Sequence, residues 1–451
     1  MRKVKILTVV GARPQIIKAA AISREIRSSF SDRIVEIILH TGQHYDANMS
    51  EIFFRELGIP DPDYNLNVGS GMHGEQTSLM IKGIEEVILK ENPDAVILYG
   101  DTNSTLAGAI AASKLHIPVA HIEAGLRSFN KSMPEEINRI VCDHVSTWLF
   151  VPTETGLTNL ISEGFPAADS LLFDDAKIKE KTDYSKNVQI YSNVQIDKTE
   201  SFCSIDHPGV FHTGDVMYDN SLYFSELAES KSPVKELLRE KLGWVPERYI
   251  LATIHRDTNT DNYQRINSIF SALADIAEGR LNAQDGNITE KNADLTALVE
   301  VPIILPLHPR TAKMLKNSLE PELYERITRY GNGNGGGGVY LIEPASFLEM
   351  ISLEKGAEMI ITDSGGVQKE AFFYKKPSLI LRPQTEWVEI VRCGSALLVD
   401  ADYKRITDGY LLMSDKIANG SLQFPSIFGY GKAARAILEK IYITAKFVKA
   451  I

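Results

Sequence analysis

The segment KILTVVGARPQIIKAA, residues 5–20, decides the fold of the first half of this chain. It contains a short apolar run, Ile6–Val10, that stops at Gly11 and leads directly into a helical pattern. A buried strand that runs through a tight turn into a helix is typical of parallel sheets covered by helices on both faces. Gly11 allows the tight turn, and Pro14 suits the first turn of a helix. The segment therefore predicts the first strand and helix of an α/β domain.

The same alternation of short apolar strands and helical patterns continues in two series along the chain. In the first series the further strands are predicted at Ile34–His40, Ala95–Gly100, Pro118–Glu123 and Trp148–Val151, with helices at Glu75–Lys90 and Ser104–Leu115. In the second series strands are predicted at Tyr249–Ile254, Ile303–Leu307, Val339–Ile342, Met359–Thr362 and Ser378–Leu381. This pattern predicts an α/β protein with two Rossmann-like, doubly wound parallel sheets.

A length of 451 residues suits two domains better than one core. We assign residues 1–205 to an N-terminal domain and residues 206–430 to a C-terminal one. Residues from about 166 to 207 are polar and weakly periodic, which indicates an insertion near the boundary. The last segment, 431–451, has a helical apolar stripe and is predicted to pack back on the first domain.

Composition excludes several functional classes. Hydrophobic residues make up 44% of the chain and the formal net charge is -11, so we expect no nucleic-acid partner. The apolar run that ends before Gly11 is too short for a signal peptide or a membrane span. The three cysteines, Cys142, Cys203 and Cys393, fit neither a disulfide framework nor a zinc pattern, so a reducing cytoplasm is expected.

Two strand-to-helix turns are candidates for binding phosphate. In the first turn Arg13 and Lys18 lie at the start of a helix, where cations and a positive helix end favour an anion. A plain connecting loop with two solvated cations is the alternative. The turn is therefore a candidate only in combination with other sites.

The second turn is DSGGVQKE, residues 363–370, which again follows an apolar strand and opens a helix. Gly365 and Gly366 expose backbone N–H groups and Ser364 adds a hydroxyl, which suits a diphosphate. Glu370, one helical turn onward, could accept hydrogen bonds from both hydroxyls of a ribose. The alternative is a helix cap followed by glycines for packing. Two such turns in one chain favour a nucleotide.

The string GNGNGG, residues 331–336, also satisfies the dinucleotide pattern G-x-G-x-x-G. It follows a helical segment and precedes a strand, which is the reverse of the required context. We interpret it as a loop, which disfavours a nicotinamide cofactor.

Carboxylates follow two neighbouring strands and open the next helix. Asp101 and Glu123 come at strand ends, and Glu135 begins the helix after them. The carboxyl ends of parallel strands share one edge of a sheet, so these side chains could converge, with Arg127 and Arg139 nearby. Carboxylates crowded in one site have divergent pKa values and can supply both an acid and a base. Each residue alone could equally be a cap or a structural ion pair.

Two histidines end strands of the second series. His255 is followed by Arg256, and His308 by a proline and an arginine. Such a pair can hold a phosphate or move a proton. Neither histidine has the spacing of a metal motif, so we expect no metal. A lone histidine is usually structural, but two at one sheet edge favour a function.

Taken in order, these motifs resemble those of the non-hydrolysing UDP-N-acetylglucosamine 2-epimerase family over nearly the whole chain. The matching strings are GARPQ from Gly11, YGDTNSTLAG from Tyr99, HIEAGLRS from His121, MPEEINR from Met133 and TDSGGVQKEA from Thr362. The chain looks closest to the branch that acts on UDP-2,3-diacetamido-2,3-dideoxy-glucuronate. The strings HTGQHYDANMSEIFF from His40, HPRT from His308 and QTEWVE from Gln384 carry that finer resemblance.

The resemblance implies a fold like that of the GT-B glycosyltransferases, with two Rossmann-like domains, a cleft between them and a homodimer. It implies catalytic roles for Asp101, Glu123, Glu135 and His255. It implies UDP contacts from Arg13, Ser364, Gly365, Gly366 and Glu370, with Phe347 near the uracil. The implied reaction inverts C2 of a UDP-N-acetylamino sugar by elimination and re-addition of UDP, without a cofactor.

Two departures from the family pattern concern regulation and substrate. Regulated members carry QHREM where this chain reads Gln43-His44-Tyr45-Asp46, which disfavours activation by a second UDP-sugar. The common form has an arginine where this chain reads Thr385-Glu386-Trp387, which points to a different sugar. The competing interpretations are a GT-B glycosyltransferase with a UDP-sugar donor, a hydrolysing epimerase and a UDP-sugar sensor without activity.

Overall fold

The structure, a computed structural model, describes residues 2–42, 58–167, 169–172, 203–281, 300–307, 309–330 and 335–448. Contacts divide the chain into an N-terminal unit, Met1–Asn220 with Ser426–Ile451, and a C-terminal unit, Ser221–Pro425. The sequence placed the domain limits at 205 and 430, and these limits stay a prediction. Most of the polar insertion lies outside the described residues.

The N-terminal unit is built on a parallel sheet with helices on both faces. Its strands are β1 (Val4–Val10), β2 (Ile34–His40), β3 (Tyr64–Asn65), β4 (Ala95–Tyr99), β5 (Val119–Ile122), β6 (Trp148–Val151), β7 (Asp169–Ser170) and β8 (Gly209–His212). Its helices are α1 (Arg13–Glu25), continued by a π-helical turn at Ile26–Phe30, then α2 (His73–Glu91), α3 (Asn103–Lys114), α4 (Pro134–Val145) and α5 (Glu154–Ser162). The strand order is β3-β2-β1-β4-β5-β6-β8-β7, and neighbouring strands pair in parallel.

The C-terminal unit repeats this plan. Its strands are β9 (Ile250–Thr253), β10 (Pro302–Pro306), β11 (Gly338–Ile342), β12 (Met359–Thr362), β13 (Ser378–Ile380) and β14 (Ala396–Leu398), in the order β11-β10-β9-β12-β13-β14. After α6 (Val216–Lys231), which spans the division between the units, its helices are α7 (Val234–Leu242), α8 (Asp257–Thr260), α9 (Tyr263–Ala277), α10 (Pro309–Ser318), α11 (Pro321–Thr328), α12 (Phe347–Gly356), α13 (Gly365–Phe373), α14 (Val388–Arg392) and α15 (Tyr403–Ala418). Counted within the unit, the order is 3-2-1-4-5-6, which is the Rossmann order. The first six strands of the N-terminal unit have the same order, so the predicted fold class is confirmed.

Burial explains why the strands were readable from sequence. All five residues of β4 and six of the seven in β1 are buried, because helices cover both faces of the sheet. In the C-terminal unit the core includes Ile250, Ile303 and Ile361 from three adjacent strands. Such strands appear as continuous apolar runs rather than alternating ones.

The last described helix, α16 (Ala433–Val448), belongs to the N-terminal unit and packs against α1 and β1. Its start is fixed by Asp219, whose carboxylate accepts the backbone N–H groups of Ala433 (3.1 Å) and Ala434 (2.8 Å). These N–H groups have no partner within the helix, so a carboxylate there caps its positive end. The chain thus returns to the unit in which it began.

Candidate active site

Four of the predicted site residues follow central strands of the two sheets. In the order 3-2-1-4-5-6 the crossovers leave the first and fourth strands in opposite directions, which opens a crevice at the carboxyl ends of these strands. In the N-terminal unit these strands are β1 and β4, with β5 beside them; in the C-terminal unit they are β9 and β12, with β13 beside them. Asp101, Glu123, His255 and Ser364 all follow one of these strands directly or within two residues.

The loop after β1 is tied to the end of β4 by a buried glutamine. The Gln15 side chain accepts the N–H of Gly11 (2.9 Å) and donates to the carbonyl of Tyr99 (3.0 Å). Gly11 has no room for a side chain, because a Cβ there would lie 2.1 Å from the hydroxyl oxygens of Ser104 and Thr41. Gln15 was not predicted as a site residue, although it is the last residue of the GARPQ string.

Lys18 and Glu123 form an ion pair in the N-terminal unit. Glu123 is only 9% exposed, and its backbone has a φ of +74°, a strained conformation for a residue with a side chain. Gly100 (φ +61°) makes room for the pair, since a Cβ there would lie 3.0 Å from Lys18 Nζ and 3.2 Å from Glu123 Oε2. Arg13, the first residue of α1, is exposed.

Asp101 is held by helix α4. Its Oδ2 lies 2.5 Å from Nη2 of Arg139, and its carbonyl accepts from the Asn138 amide at 2.8 Å. The Asp101 side chain is 31% exposed, whereas Arg139 is buried and also binds Glu136 at 2.9 Å. The buried Arg139 guanidinium thus orients the Asp101 carboxylate, which stays partly exposed and open to a ligand.

Glu135 lies in the first turn of α4 and is exposed. Residues three and four apart share a helix face, so Glu135 is on the same side as Asn138 and Arg139, which bind Asp101. The neighbouring Glu136 points inward and accepts the N–H groups of Ser128 and Phe129, both at 2.8 Å. The structure therefore separates this Glu-Glu pair into an open carboxylate and a buried structural one.

Arg127 is not part of this open group. Its guanidinium is buried and lies 2.8 Å from Asp143 and 2.7 Å from Glu163. These contacts favour a supporting role for Arg127 over direct contact with a substrate.

A fully buried histidine links the loops that carry the two strand-end carboxylates. His121 Nδ1 lies 2.6 Å from Asp143 Oδ1, and its Nε2 lies 2.8 Å from the carbonyl of Gly100. Oδ2 of Asp143 accepts the N–H of Gly125 at 3.1 Å. Burial opposes a charge on the imidazole, but the adjacent Cys142 and Asp143 side chains raise the pKa of His121 well above its usual value.

In the C-terminal unit one buried carboxylate organises the loop after β9. Asp363, fully buried after β12, accepts the N–H groups of His255 (3.1 Å) and Arg256 (3.1 Å) and the Asn259 amide (3.0 Å). His255 Nδ1 lies 3.2 Å from the same carboxylate, and its side chain is 60% exposed. When Nδ1 donates to Asp363, Nε2 is the nitrogen available to a ligand.

The start of α13 has the features of an anion site. Ser364 caps the helix through its hydroxyl, and a Cβ on Gly365 would lie 3.7 Å from Arg382 Nη1 and 3.9 Å from Arg256 Nη2. Two guanidinium groups thus flank a helix N-terminus. Arg382 makes a two-point pair with Glu386 at 3.1 and 3.0 Å. It was not predicted, although it follows β13 at the same sheet edge.

Glu370 lies in α13, and Glu370 Oε2 is 4.0 Å from the position of a Cβ on Gly366. Glu354, on α12, is buried, and neither carboxylate oxygen has a hydrogen-bond partner among the described residues. Burial, with a further contribution from Glu370, raises the pKa of Glu354 well above its usual value. The sequence analysis did not identify this neighbour of Glu370.

Phe347 is the first residue of α12, where Ser346 and Glu349 form a reciprocal capping box. Its ring packs edge-on against Phe224, with centroids 5.1 Å apart, and the residue is 8% exposed. His308 lies outside the described residues, as do residues 331–334 of the glycine-rich loop. The helix before that loop and the strand after it confirm its predicted context.

The described residues have neither a metal-binding cluster nor a membrane-spanning helix. They contain no group of three or more His, Cys, Asp or Glu side chains that could hold a metal ion. Within the same ranges no helix is long and apolar enough to cross a membrane.

The chain is similar over nearly its whole length to known UDP-sugar 2-epimerases. A family model described as UDP-N-acetylglucosamine 2-epimerase matches residues 29–442. The chain is 42% identical to a UDP-N-acetylglucosamine 2-epimerase homolog of Methanococcus maripaludis and 42% identical to the UDP-2,3-diacetamido-2,3-dideoxy-D-glucuronate 2-epimerase of Pseudomonas aeruginosa, each over 96% of this chain and 98% of the relative. The structure of Methanocaldococcus jannaschii UDP-GlcNAc 2-epimerase with UDP-GlcNAc and UDP superimposes with a TM-score of 0.70 at 36% identity, covering 97% of this chain and 99% of that one.

Proposed function

The chain belongs to the UDP-N-acetylglucosamine 2-epimerase family, and we propose on this basis that it inverts C2 of a UDP-linked N-acetylamino sugar without hydrolysing it. It is an isomerase of a nucleotide sugar. The observation that carries the proposal is the difference in chemistry between the two sheet edges. One edge has carboxylates paired with cations, and the other has a helix N-terminus flanked by two arginines.

This division fits what the reaction requires. The C2–H bond is only weakly acidic, because no carbonyl is attached to C2. In elimination a base takes the C2 proton, the C1–O bond breaks with its electrons leaving on UDP, and a C1=C2 double bond forms. UDP then adds back to C1 while a proton is delivered to the opposite face of C2. The enzyme must therefore move protons and hold a departing diphosphate.

We assign proton transfer to the N-terminal unit, through Asp101, Glu123 and Glu135. The sequence predicted that Lys18 binds phosphate, but its ion pair with Glu123 supports a different assignment. Lys18 would orient that carboxylate beside the sugar. Arg139 would do the same for Asp101.

We assign the diphosphate to the start of α13, where Ser364, Gly365, Arg256 and Arg382 supply donors. Anions at a helix N-terminus are stabilised by the unpaired N–H groups and by the helix dipole. His255, held by Asp363, would present Nε2 to the same phosphate or to the leaving oxygen. Glu370 and Phe347 would contact the ribose and the uracil, as the sequence resemblance implies.

Proton NMR in heavy water tests the reaction directly. The purified protein is incubated with UDP-N-acetylglucosamine and, separately, with its 2,3-diacetamido uronate analogue. Deuterium at C2 together with the 2-epimer supports the proposal. Release of free sugar indicates a hydrolysing epimerase, and binding of UDP-sugar without exchange indicates a sensor. Transfer to an added acceptor without exchange indicates a glycosyltransferase.

The assignment of Glu135 has its own test. Glu135→Gln keeps the size of the side chain but removes its ability to exchange a proton, so turnover should fall by roughly 10²–10⁴-fold. The matched control is Glu154→Gln, which changes an exposed glutamate in the first turn of another helix of the same unit. Near-normal turnover of Glu135→Gln would remove Glu135 from the mechanism.

We propose the diacetamido uronate as the preferred substrate, a homodimer as the working assembly, and a cytoplasmic role in supplying precursors of surface polysaccharide. The 42% identical Pseudomonas relative supports the choice of substrate, and the free state of Cys142, Cys203 and Cys393 supports the cytoplasmic location. The relative rates of C2 exchange with the two sugars test the substrate. Light scattering tests the dimer, and a mass of about 50 kDa, that of a single chain, would contradict it.

A further inference from the structure

We infer that His121 is a positioning residue, held as a doubly protonated imidazolium, which sets the geometry of the loops bearing Asp101 and Glu123. The inference uses side chains to which the proposed reaction gives no role. Its kinetic part rests on the proposed function, whereas its spectroscopic part does not.

The first step is the arrangement of acceptors around the ring. Nε2 faces the carbonyl oxygen of Gly100 at 2.8 Å, and a carbonyl can only accept a hydrogen bond. Nδ1 faces Asp143 Oδ1 at 2.6 Å. A neutral imidazole has one N–H, so it can satisfy only one of these oxygens. An imidazolium satisfies both.

The second step excludes the other way of placing the proton, on Asp143. Its Oδ2 accepts the N–H of Gly125 (3.1 Å) and lies 2.8 Å from the Arg127 guanidinium, so two donors stabilise the carboxylate form. Burial opposes that charge, but His121 and Arg127 outweigh it and lower the pKa of Asp143. The buried Cys142 side chain on α4 is another titratable group beside the ring, and it raises the pKa of His121. The proton therefore stays on the imidazole.

The third step is what this cation holds in place. Gly100 donates its N–H to the carbonyl of Ile122 (3.0 Å) and accepts from His121, so the loop after β4 is fixed on both sides by β5. Through Asp143 the same network holds Gly125, two residues after the strained Glu123. The spacing of the two strand-end carboxylates thus depends on the His121–Asp143 pair, although neither residue needs to touch the substrate.

The spectroscopic test uses the full-length protein labelled with ¹⁵N-histidine. The chain has ten histidines, and His121→Gln identifies the signals of this ring. We expect both nitrogens to remain protonated as the pH is raised through about 6.5, the usual pKa of a free histidine, because the pKa of His121 is raised above that value. A His121 ring with a single N–H at pH 7 would overturn the inference whether or not the protein is an epimerase.

The kinetic test compares His121→Gln and Asp143→Asn with His207→Gln, which makes the same chemical change at an exposed histidine. Displacing reacting groups by about 1 Å can cost roughly 10²-fold in rate, so kcat for C2 exchange should fall by about 10- to 100-fold in both test variants. The Kd for UDP, measured by calorimetry, should change less than about twofold. The double variant should be no slower than the worse single one, because both changes break one network.

Three outcomes contradict the positioning role: unchanged kcat in His121→Gln, losses that multiply in the double variant, or loss of UDP binding in step with kcat. The last would indicate that the whole fold is damaged. If the wild-type protein itself shows no C2 exchange, the proposed function fails, and the ring protonation measured by NMR still decides the structural part of the inference.

Discussion

Replacing Gly100 with alanine should slow C2 exchange while destabilising the protein only slightly. The added Cβ would lie 3.0 Å from Lys18 Nζ and 3.2 Å from Glu123 Oε2, so these groups must move by a few tenths of an ångström. Because about 1 Å of misplacement can cost 10²-fold in rate, a shift of this size should cost roughly tenfold in kcat.

The stability cost can be estimated separately. Gly100 has a φ of +61°, and a residue with a Cβ pays about 1–2 kcal/mol for a left-handed conformation. The lower entropy of the unfolded chain returns about 0.4–1 kcal/mol. The net loss is about 1 kcal/mol, which corresponds to a fall in Tm of about 2–4 °C for a unit of this size.

Gly58→Ala is the matched control. Gly58 has a φ of +62° in the same unit, and a Cβ there would meet nothing within 4 Å. Both variants should lose similar stability in thermal unfolding, but only Gly100→Ala should lose C2 exchange, measured by proton NMR in heavy water. Equal activity in the two variants would show that the space beside Lys18 and Glu123 has no catalytic importance.

Two further predictions concern buried carboxylates of the C-terminal unit. Asp363→Asn should lower the free energy of unfolding by about 3 kcal/mol and reduce C2 exchange, because an amide turns a donor toward the N–H groups of His255 and Arg256. Chemical denaturation and the exchange rate check this, and an unchanged midpoint would contradict it. For Glu354, whose folded pKa is raised, the stabilising contribution is present below pH 4.5 and is lost as pH rises through the folded pKa. The Tm of Glu354→Gln relative to wild type should therefore rise with pH above about 4.5, and a constant difference would refute this.

Much of the fold could be predicted because it depends on local pattern. The strands Trp148–Val151 and Met359–Thr362 are buried along their whole length, and they were predicted with the observed bounds, as was Ile34–His40. The strands Gly209–His212 and Ala396–Leu398 were missed, since three or four apolar residues without a clear turn signal resemble any short buried segment. No local sequence signal fixes the order of the strands within a sheet, so this order comes from the structure.

The sequence pattern indicated the open residues of the candidate site but not the residues that support them. Asp101 and Glu123 could be identified because they follow strands at one sheet edge. The partner of His121 could not, because Asp143 is 22 residues away on a helix and nothing in its local sequence distinguishes it from a surface aspartate. Arg127 was expected near the substrate because it lies four residues after Glu123 in the sequence. Its sequence position does not reveal that it forms buried ion pairs with Asp143 and Glu163.

The left-handed backbone at Glu123 is a local cost in stability at a residue that we assign to proton transfer. A glycine at this position would relieve the backbone strain, yet it would leave the mostly buried Lys18 without its ion-pair partner and would delete one of the carboxylates assigned to proton transfer. Heat resistance measured alone therefore does not report whether this carboxylate is retained. A library built on this scaffold should be screened for turnover and melting temperature together.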